Sequence, residues 1–150
     1  MTEVEQLLAL EDIKALKARY FRCVDTKDWD GFAAVFAPDA AFDISEDVPD
    51  CVLVGRENIL GAVRPALQDC VSVHHGHCPE IDITSAATAK GVWAMEDMLR
   101  WKERSASRVA ALHGYGHYRE TYRKIDRAWL IQSLKLSRLR VDVTRWGGAA

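Results

Sequence analysis

Apolar residues near the start of the chain recur at the spacing of an α-helix. This apolar series consists of Val4, Leu8, Ile13, Leu16, Tyr20 and Val24. Thr2 followed by Glu5 fits a capping box, in which the hydroxyl and the carboxylate each bind a backbone N–H that is otherwise unpaired. The pattern therefore predicts a first helix that starts after Thr2 and ends near Asp25.

Two shorter helices are predicted next along the chain. The second starts at Asp28, carries aromatic residues on one face and is ended by Pro38. The third covers about residues 56–68 and also has one apolar face, and Pro65 is expected to kink it. The first half of the chain is therefore interpreted as helical.

The second half has the alternation and the β-branched and aromatic content of strands. The predicted strands cover residues 71–77, 81–84, 89–101, 112–125 and 129–143, with short polar breaks that suit antiparallel hairpins. Helices followed by a meander predict the α+β class, with the helices packed on one face of a curved sheet. Such a sheet tends to enclose a cavity that suits a small ligand.

Length and charge narrow the possible partners. The chain has 150 residues, with 20 Lys and Arg against 22 Asp and Glu, and a formal net charge of −2. This length predicts one domain over residues 1–150. The near-zero charge disfavours nucleic acid and anionic membranes as partners. Without a bilayer-spanning apolar stretch or a basic signal sequence, the chain is expected to be cytoplasmic.

Residues 89–101 carry an aspartate on an otherwise apolar strand face. Alternation places Asp97 on the same face as Trp93, Met95 and Leu99. An unpaired carboxylate there would cost several kcal/mol, so Asp97 needs a partner or must stay protonated. The alternation leaves two interpretations open: a structural ion pair, and a functional group that faces a pocket lined by Trp93, Met95 and Leu99.

Three histidines and a cysteine lie within five residues of the chain. Alternation turns His74 and Cys78 to one side of the strand and His75 and His77 to the other. Because only alternate residues converge, we expect no metal site from this segment. A His–Asp pair that acts as a general base is favoured, since a carboxylate fixes the imidazole tautomer and raises its pKa. A hydrogen-bonded structural histidine is the alternative.

Other polar residues have weaker patterns. Tyr20 and Asp25 lie about 140° apart around the first helix and share no face, but both can border a cavity if the helix ends near Asp25. A core aromatic and a helix-end carboxylate are the alternatives. His113 and Tyr115 share a strand face and are expected to line a polar pocket wall or to lie exposed.

Two arginines lie close together near the end of the chain, and several common cofactor and catalytic motifs are absent from the sequence. Arg138 and Arg140 are interpreted as a small basic patch that serves subunit contacts or surface solvation. The sequence contains no glycine-rich phosphate loop, no G-x-S-x-G elbow and no dinucleotide fingerprint. We therefore expect no cofactor.

Four segments of the sequence resemble the SnoaL-like branch of the nuclear transport factor 2-like superfamily. They are residues 13–40, 71–83, 91–101 and 113–141. The first three most closely resemble bacterial bile-acid dehydratases, and more distantly scytalone dehydratases and hexachlorocyclohexane dehydrochlorinases. The resemblance implies a cone-shaped, curved antiparallel sheet closed by about three N-terminal helices. It also implies a homo-oligomer, with a trimer favoured and a dimer possible.

The resemblance further implies a catalytic set of Tyr20, Asp25, His74 and Asp97. These residues match the tyrosine, the helix aspartate, the histidine and the histidine-orienting aspartate of the bile-acid dehydratases. The implied roles are that His74, oriented by Asp97, removes a carbon-bound proton, while Asp25 and Tyr20 polarise a carbonyl or protonate a departing hydroxyl.

The resulting hypothesis is a cofactor-independent lyase, a dehydratase that removes water from a hydrophobic hydroxy-ketone or a steroid- or polyketide-like substrate. An isomerase or a polyketide cyclase would begin with the same proton abstraction. A non-catalytic ligand-binding or dimerisation module is a further alternative. It predicts a cavity filled by side chains, or Asp97 paired with an arginine instead of His74.

Overall fold

The computed structural model describes residues 1–103, 105 and 107–147 of the chain. Along these residues the elements are α1 (Glu3–Thr26), α2 (Trp29–Ala34), β1 (Phe36–Asp43), β2 (Val52–Val54), α3 (Arg56–Leu67), β3 (Cys70–Ile83), β4 (Thr88–Trp101), β5 (Val109–Ile125) and β6 (Ala128–Arg145). The strands form one curved sheet in the order β2-β1-β6-β5-β4-β3. The predicted α+β class is confirmed. None of the helices in the described ranges combines the length and the apolar character that a membrane-spanning helix needs.

The first helix begins as the sequence predicts. Glu5 donates its backbone N–H to the Thr2 hydroxyl at 3.2 Å, and the Glu5 carboxylate accepts the Thr2 N–H at 2.7 Å. The early part of the predicted apolar series is not in the core, because Val4 and Leu8 are 64% and 60% exposed. The later members, from Ile13 onward, are buried against the sheet.

The region between α1 and α3 differs from the prediction. The second helix ends at Ala34, and Pro38 lies inside β1 instead of ending a helix. A register shift between Phe36 and Ala41 surrounds Pro38, and such irregularities tolerate a residue without an N–H to donate. The strands β1 and β2 were missed from the sequence. Because β1 runs parallel to β6, the sheet is not wholly antiparallel.

The remaining strands agree closely with the predicted ones. The two predicted segments 71–77 and 81–84 form the single strand β3, which pairs antiparallel with β4. Its pairing shifts register between His77 and Glu80, where Cys78 adopts a positive φ of 39°. This irregularity corresponds to the break that the sequence pattern indicated.

The core beneath α1 contains a fully buried ion pair. Lys17 donates from Nζ to the Glu120 carboxylate, and both side chains are inaccessible to solvent. The Lys17 ammonium also lies 4.0 and 3.9 Å from the ring centroids of Tyr20 and Tyr118, and Tyr122 donates its hydroxyl to Glu120. Burial lowers the pKa of Lys17, against the opposing effect of Glu120. The ion pair and the aromatic rings together compensate the burial of the two charges.

Replacing Lys17 with Met is expected to lower the free energy of unfolding by about 3–5 kcal/mol, because Glu120 would keep a buried charge without its partner. Lys14→Met is the matched control on the same helix. Lys14 pairs with Glu11 at an exposed site, and its replacement is expected to change stability by less than about 0.5 kcal/mol. Urea unfolding of both variants measures the difference. Equal losses would contradict a special role for the buried pair.

Candidate functional site

A cavity of about 170 Å³ lies between the helices and the inner face of the sheet. Its wall is mostly apolar, from residues of α1, β1, α3, β4 and β6. The polar side chains that reach it are those of Tyr20, Asp47, His74, Asp97, Tyr118 and Arg138. An apolar cavity with a few convergent polar groups is typical of a small-molecule site. A more open groove of about 640 Å³ elsewhere on the sheet contains none of the predicted site residues.

The carboxylate that orients His74 belongs to Asp25. His74 Nδ1 lies 2.6 Å from Asp25 Oδ1, and the His74 backbone N–H donates to Oδ2 at 2.8 Å. Ser72 donates its hydroxyl to Oδ1 at 2.9 Å and accepts from Lys27 Nζ at 2.7 Å. Asp25 is not among the cavity-lining residues, so it acts on the cavity through His74.

The electrostatics of this contact favour a charged Asp25. Burial acts to raise the pKa of Asp25, but the hydrogen bonds and charge of His74, with the hydrogen bond from Ser72, outweigh it and lower the pKa. A neutral His74 then carries its proton on Nδ1, toward the carboxylate. The nitrogen that can accept a proton is Nε2.

Asp97 forms an ion pair with Arg138 and not with His74. Arg138 donates from Nη1 and Nη2 to the two oxygens of Asp97, at 2.8 and 2.9 Å, and the side chains are 9% and 5% exposed. His74 and Asp97 are directly opposite each other on β3 and β4, yet the hydrogen bond to His74 comes from Asp25. The prediction that Asp97 orients His74 is therefore wrong, because the hydrogen bonds of Asp97 come from Arg138.

Gly114 explains how Arg138 reaches Asp97 across an intervening strand. On β5, Gly114 lies directly opposite Asp97, with β6 on its other side. A Cβ at Gly114 would lie 2.4 Å from both Arg138 Nη1 and Asp97 Oδ1. The missing side chain thus leaves the space that the ion pair occupies.

Arg138 also contacts the turn between β1 and β2. Its Nε and Nη2 donate to Asp47 at 2.8 and 2.7 Å, and its backbone N–H donates to Glu46 at 2.5 Å. Burial acts to lower the pKa of Arg138, but the bonds to Asp47 and Asp97 outweigh it and raise the pKa. The interpretation of Arg138 as a surface residue is wrong. Arg138 follows the buried Leu134 and Leu136 at two-residue spacing on β6, and this spacing could have predicted that its side chain faces inward.

Two tyrosines from different elements meet at the cavity wall. The rings of Tyr20 on α1 and Tyr118 on β5 lie 6.1 Å apart between centroids, in an edge-on arrangement. Burial, followed by the charges of Glu120, Asp97 and Asp25, raises the pKa of Tyr20. Burial likewise raises the pKa of Tyr118. Both hydroxyls therefore keep their protons at neutral pH, and the Tyr20 hydroxyl is a hydrogen-bond donor at the cavity wall. Tyr118 was not identified from the sequence.

Of the residues predicted to line the pocket on β4, only Leu99 reaches the cavity. Trp93 is buried and donates from Nε1 to the Tyr122 hydroxyl at 2.8 Å. Met95 lies behind the ion pair, with its sulfur 3.6 Å from Arg138 Nη1. Trp93 and Met95 thus support the cavity from the core, and the prediction that they line it is wrong.

His113 and Tyr115 lie on the outer face of the sheet, so their placement in the pocket is also wrong. The inward positions of β5 are the neighbouring Gly114 and Tyr118, and alternation turns His113 and Tyr115 the other way. His113 Nε2 lies 2.7 Å from a Glu96 oxygen, and Tyr115 packs on the His113 ring at 4.7 Å. Alternation grouped these residues correctly but did not determine which face was inward.

Arg138→Met is expected to lower the free energy of unfolding by about 3–5 kcal/mol, because it leaves the buried Asp97 without its counter-charge. Arg140→Met on the same strand is the matched control. Arg140 pairs with Asp142 at a site where the two side chains are 70% and 52% exposed, and its loss is expected to cost less than about 1 kcal/mol. Urea unfolding compares the two variants, and similar losses would count against the assignment of a buried pair.

Asp25→Asn is expected to remove a pH-dependent part of the stability. The pKa of Asp25 is lowered below its ordinary value of 3.8 on folding, so its contribution is complete above that pH and is lost as the pH falls through the lowered value. The stability difference between wild type and variant should therefore shrink in acid. Urea unfolding at pH 7, 5, 4 and 3, with the exposed Asp12→Asn as control, tests this. A difference that stays constant with pH would contradict it.

Known proteins provide a comparison for this fold and site. Residues 5–135 match the model of the SnoaL-like domain. The probable cyclase FGR4 of Gibberella zeae is 25% identical over 139 residues, which cover 85% of this chain and 89% of that protein. The structure of a candidate scytalone dehydratase from Novosphingobium aromaticivorans has a TM-score of 0.82 at 20% identity and covers 99% of this chain and 100% of its own.

A type 2 hexachlorocyclohexane dehydrochlorinase has a TM-score of 0.81 at 16% identity, with 99% of this chain and 97% of its own covered. At these identities, the two structures are evidence for a common fold alone. The family match is independent of them and extends over most of the sequence. This chain belongs to the SnoaL-like domain family.

Proposed function

We propose that the protein is a dehydratase-type lyase that eliminates water from a small hydroxy-ketone. The observation that carries the proposal is the placement of His74 at the wall of an apolar cavity, with Asp25 bonded to its Nδ1. A carboxylate in that position supports a general base at the opposite ring nitrogen. The names of the related cyclase, dehydratase and dehydrochlorinase are consistent with chemistry that removes a proton from carbon.

The proposed reaction uses two side chains and balances without a further reactant. His74 Nε2 accepts a proton from the carbon next to the carbonyl, and the electron pair of that C–H bond forms an enolate. Tyr20 donates a hydrogen bond to the developing oxyanion. The enolate then expels the hydroxyl on the adjacent carbon, which takes the proton back from His74 and leaves as water. The products are an unsaturated ketone, water and neutral His74.

In this proposal the roles of the two aspartates differ from those that the resemblance implies. Asp25 orients His74 from outside the cavity, so it does not contact the substrate. Asp97 is instead paired with Arg138 through both of its carboxylate oxygens. Its proposed role is to fix Arg138 at the cavity wall.

The cavity volume supports a substrate with one ring. An apolar protein cavity of about 150 Å³ holds benzene, and the volume here is about 170 Å³. A steroid or a multi-ring polyketide exceeds that space unless the turn that carries Asp47 moves. We therefore propose a monocyclic or short-chain hydroxy-ketone as the substrate class.

A non-catalytic binding module is the second candidate function. Pairing of Asp97 with an arginine instead of His74 is the arrangement that this alternative predicts, and Arg138 provides it. The other arrangement it predicts, a cavity filled by side chains, is not found among the described residues. His74 also keeps a carboxylate partner, and for this reason we favour the enzyme.

We further propose that the protein is cytoplasmic and that it self-associates as a trimer or a dimer. The exposed Val71 and Val73 on the outer face of β3, 68% and 37% accessible, are the apolar positions that such a contact would cover. Equilibrium sedimentation of the full chain measures the number of subunits.

The activity test uses monocyclic hydroxy-ketones and measures product mass. Loss of one water identifies a dehydratase, whereas a product of unchanged mass identifies an isomerase. His74→Gln is expected to lower kcat by about 10²–10⁴, the usual contribution of a general base. His117→Gln, on the outer face of the sheet, should retain wild-type activity.

Thermal unfolding of the same variants separates loss of activity from loss of folding. Wild-type turnover by folded His74→Gln would overturn the proposed mechanism. Saturable binding of the same compounds by the wild type without any product would instead support the binding module.

A further inference from the structure

We propose that the outer face of the sheet binds a divalent transition-metal ion through His75, His77 and Glu96. One ligand atom from each of these side chains lies within 4.8 Å of the others. The rings of His75 and His77 are 5.8 Å apart between centroids. Ligand atoms around tetrahedral zinc lie about 3.3 Å apart, given bonds of about 2.0–2.1 Å, so small side-chain rotations close the site.

The strand geometry brings these three residues together. His75 and His77 are two positions apart on β3 and therefore project from the same face. Glu96 lies directly opposite His75 on β4. The expectation of no metal site considered only the histidines and cysteine of one segment, and it lacked the ligand from the neighbouring strand.

The site is separate from the cavity. His74 projects to the inner face, between Val73 and His75 on β3, while the proposed ligands project outward. His75 and His77 are exposed and Glu96 is half-buried, so an ion can reach all three from solvent. Metal binding here does not involve the cavity residues of the proposed function.

A fourth residue holds Glu96 in place. His113 Nε2 lies 2.7 Å from one Glu96 oxygen, which leaves the other oxygen for an ion. Tyr115 packs on the His113 ring at an interplanar angle of 30°. Carboxylates that bind metals are commonly oriented by hydrogen bonds of this kind. The arrangement therefore has a supporting residue as well as ligands.

The ligand set determines the class of ion. Two imidazoles and one carboxylate favour zinc, copper, nickel or iron over magnesium or calcium, which prefer oxygen ligands. Water would complete the coordination. An ion held here joins β3 to β4 next to the register shift between His77 and Glu80, and so stabilises the strand pair beside that irregularity.

The test is a titration of the 150-residue chain with ZnCl₂. Calorimetry measures the binding, and thermal unfolding measures the midpoint with and without the ion. One ion per chain and a higher midpoint are expected, since an ion that binds only the folded state stabilises it. His77→Gln and Glu96→Gln should each weaken binding by at least about tenfold, and His113→Phe by about 10–100-fold.

Two variants serve as controls. His117→Gln removes another histidine of the outer face, across from Ala94 and outside the cluster. Cys78→Ser removes the exposed thiol next to His77. Both should bind zinc as the wild type does. The proposal is overturned if the wild type binds no zinc, if calcium binds equally well, or if either control loses as much affinity as His77→Gln.

Discussion

The hydrogen bonds that Asp25 accepts connect the end of α1 to β3, and the arrangement of the cavity depends on that connection. A carboxylate in the last turn of a helix is opposed by the helix dipole and needs compensating partners. His74 and Ser72 supply them from the adjacent strand, and Lys27, just beyond the helix, extends the network through Ser72. The same bonds that dock the helix on the sheet also hold the imidazole at the cavity wall.

Local periodicity was sufficient to predict the direction of several side chains but not their partners. Alternation on β4 turned Asp97 inward, and its side chain is buried there. Its partner could not be predicted, because Arg138 lies two strands away and reaches Asp97 only over Gly114. Such a contact depends on the order of the strands in the sheet and on the missing side chain of a glycine. Neither of these produces a periodic pattern in the sequence.

Other differences have similar physical origins. Helical spacing separated Tyr20 from Asp25. In the structure Tyr20 lines the cavity, and Asp25 is bonded to His74 at the cavity wall. Alternation correctly placed His113 and Tyr115 on the same face of their strand. It could not predict which face is the inner one, because that depends on the neighbouring strands and helices. The strand β1 has no regular alternating pattern, and its phenylalanine and alanine residues also suit a helix, while β2 is only three residues long.

The Arg138 guanidinium is fully engaged within the protein, which limits the hydrogen bonds that it can offer to a ligand. Its guanidinium donates to two oxygens of Asp97, two oxygens of Asp47 and the sulfur of Met95, which together use all five N–H groups. A ligand carboxylate or phosphate therefore has to exchange with Asp47, one counter-ion for another, and gains little net electrostatic energy. A neutral ligand enters without that exchange. The buried arginine thus contributes little to the binding of an anion, although it is itself a cation.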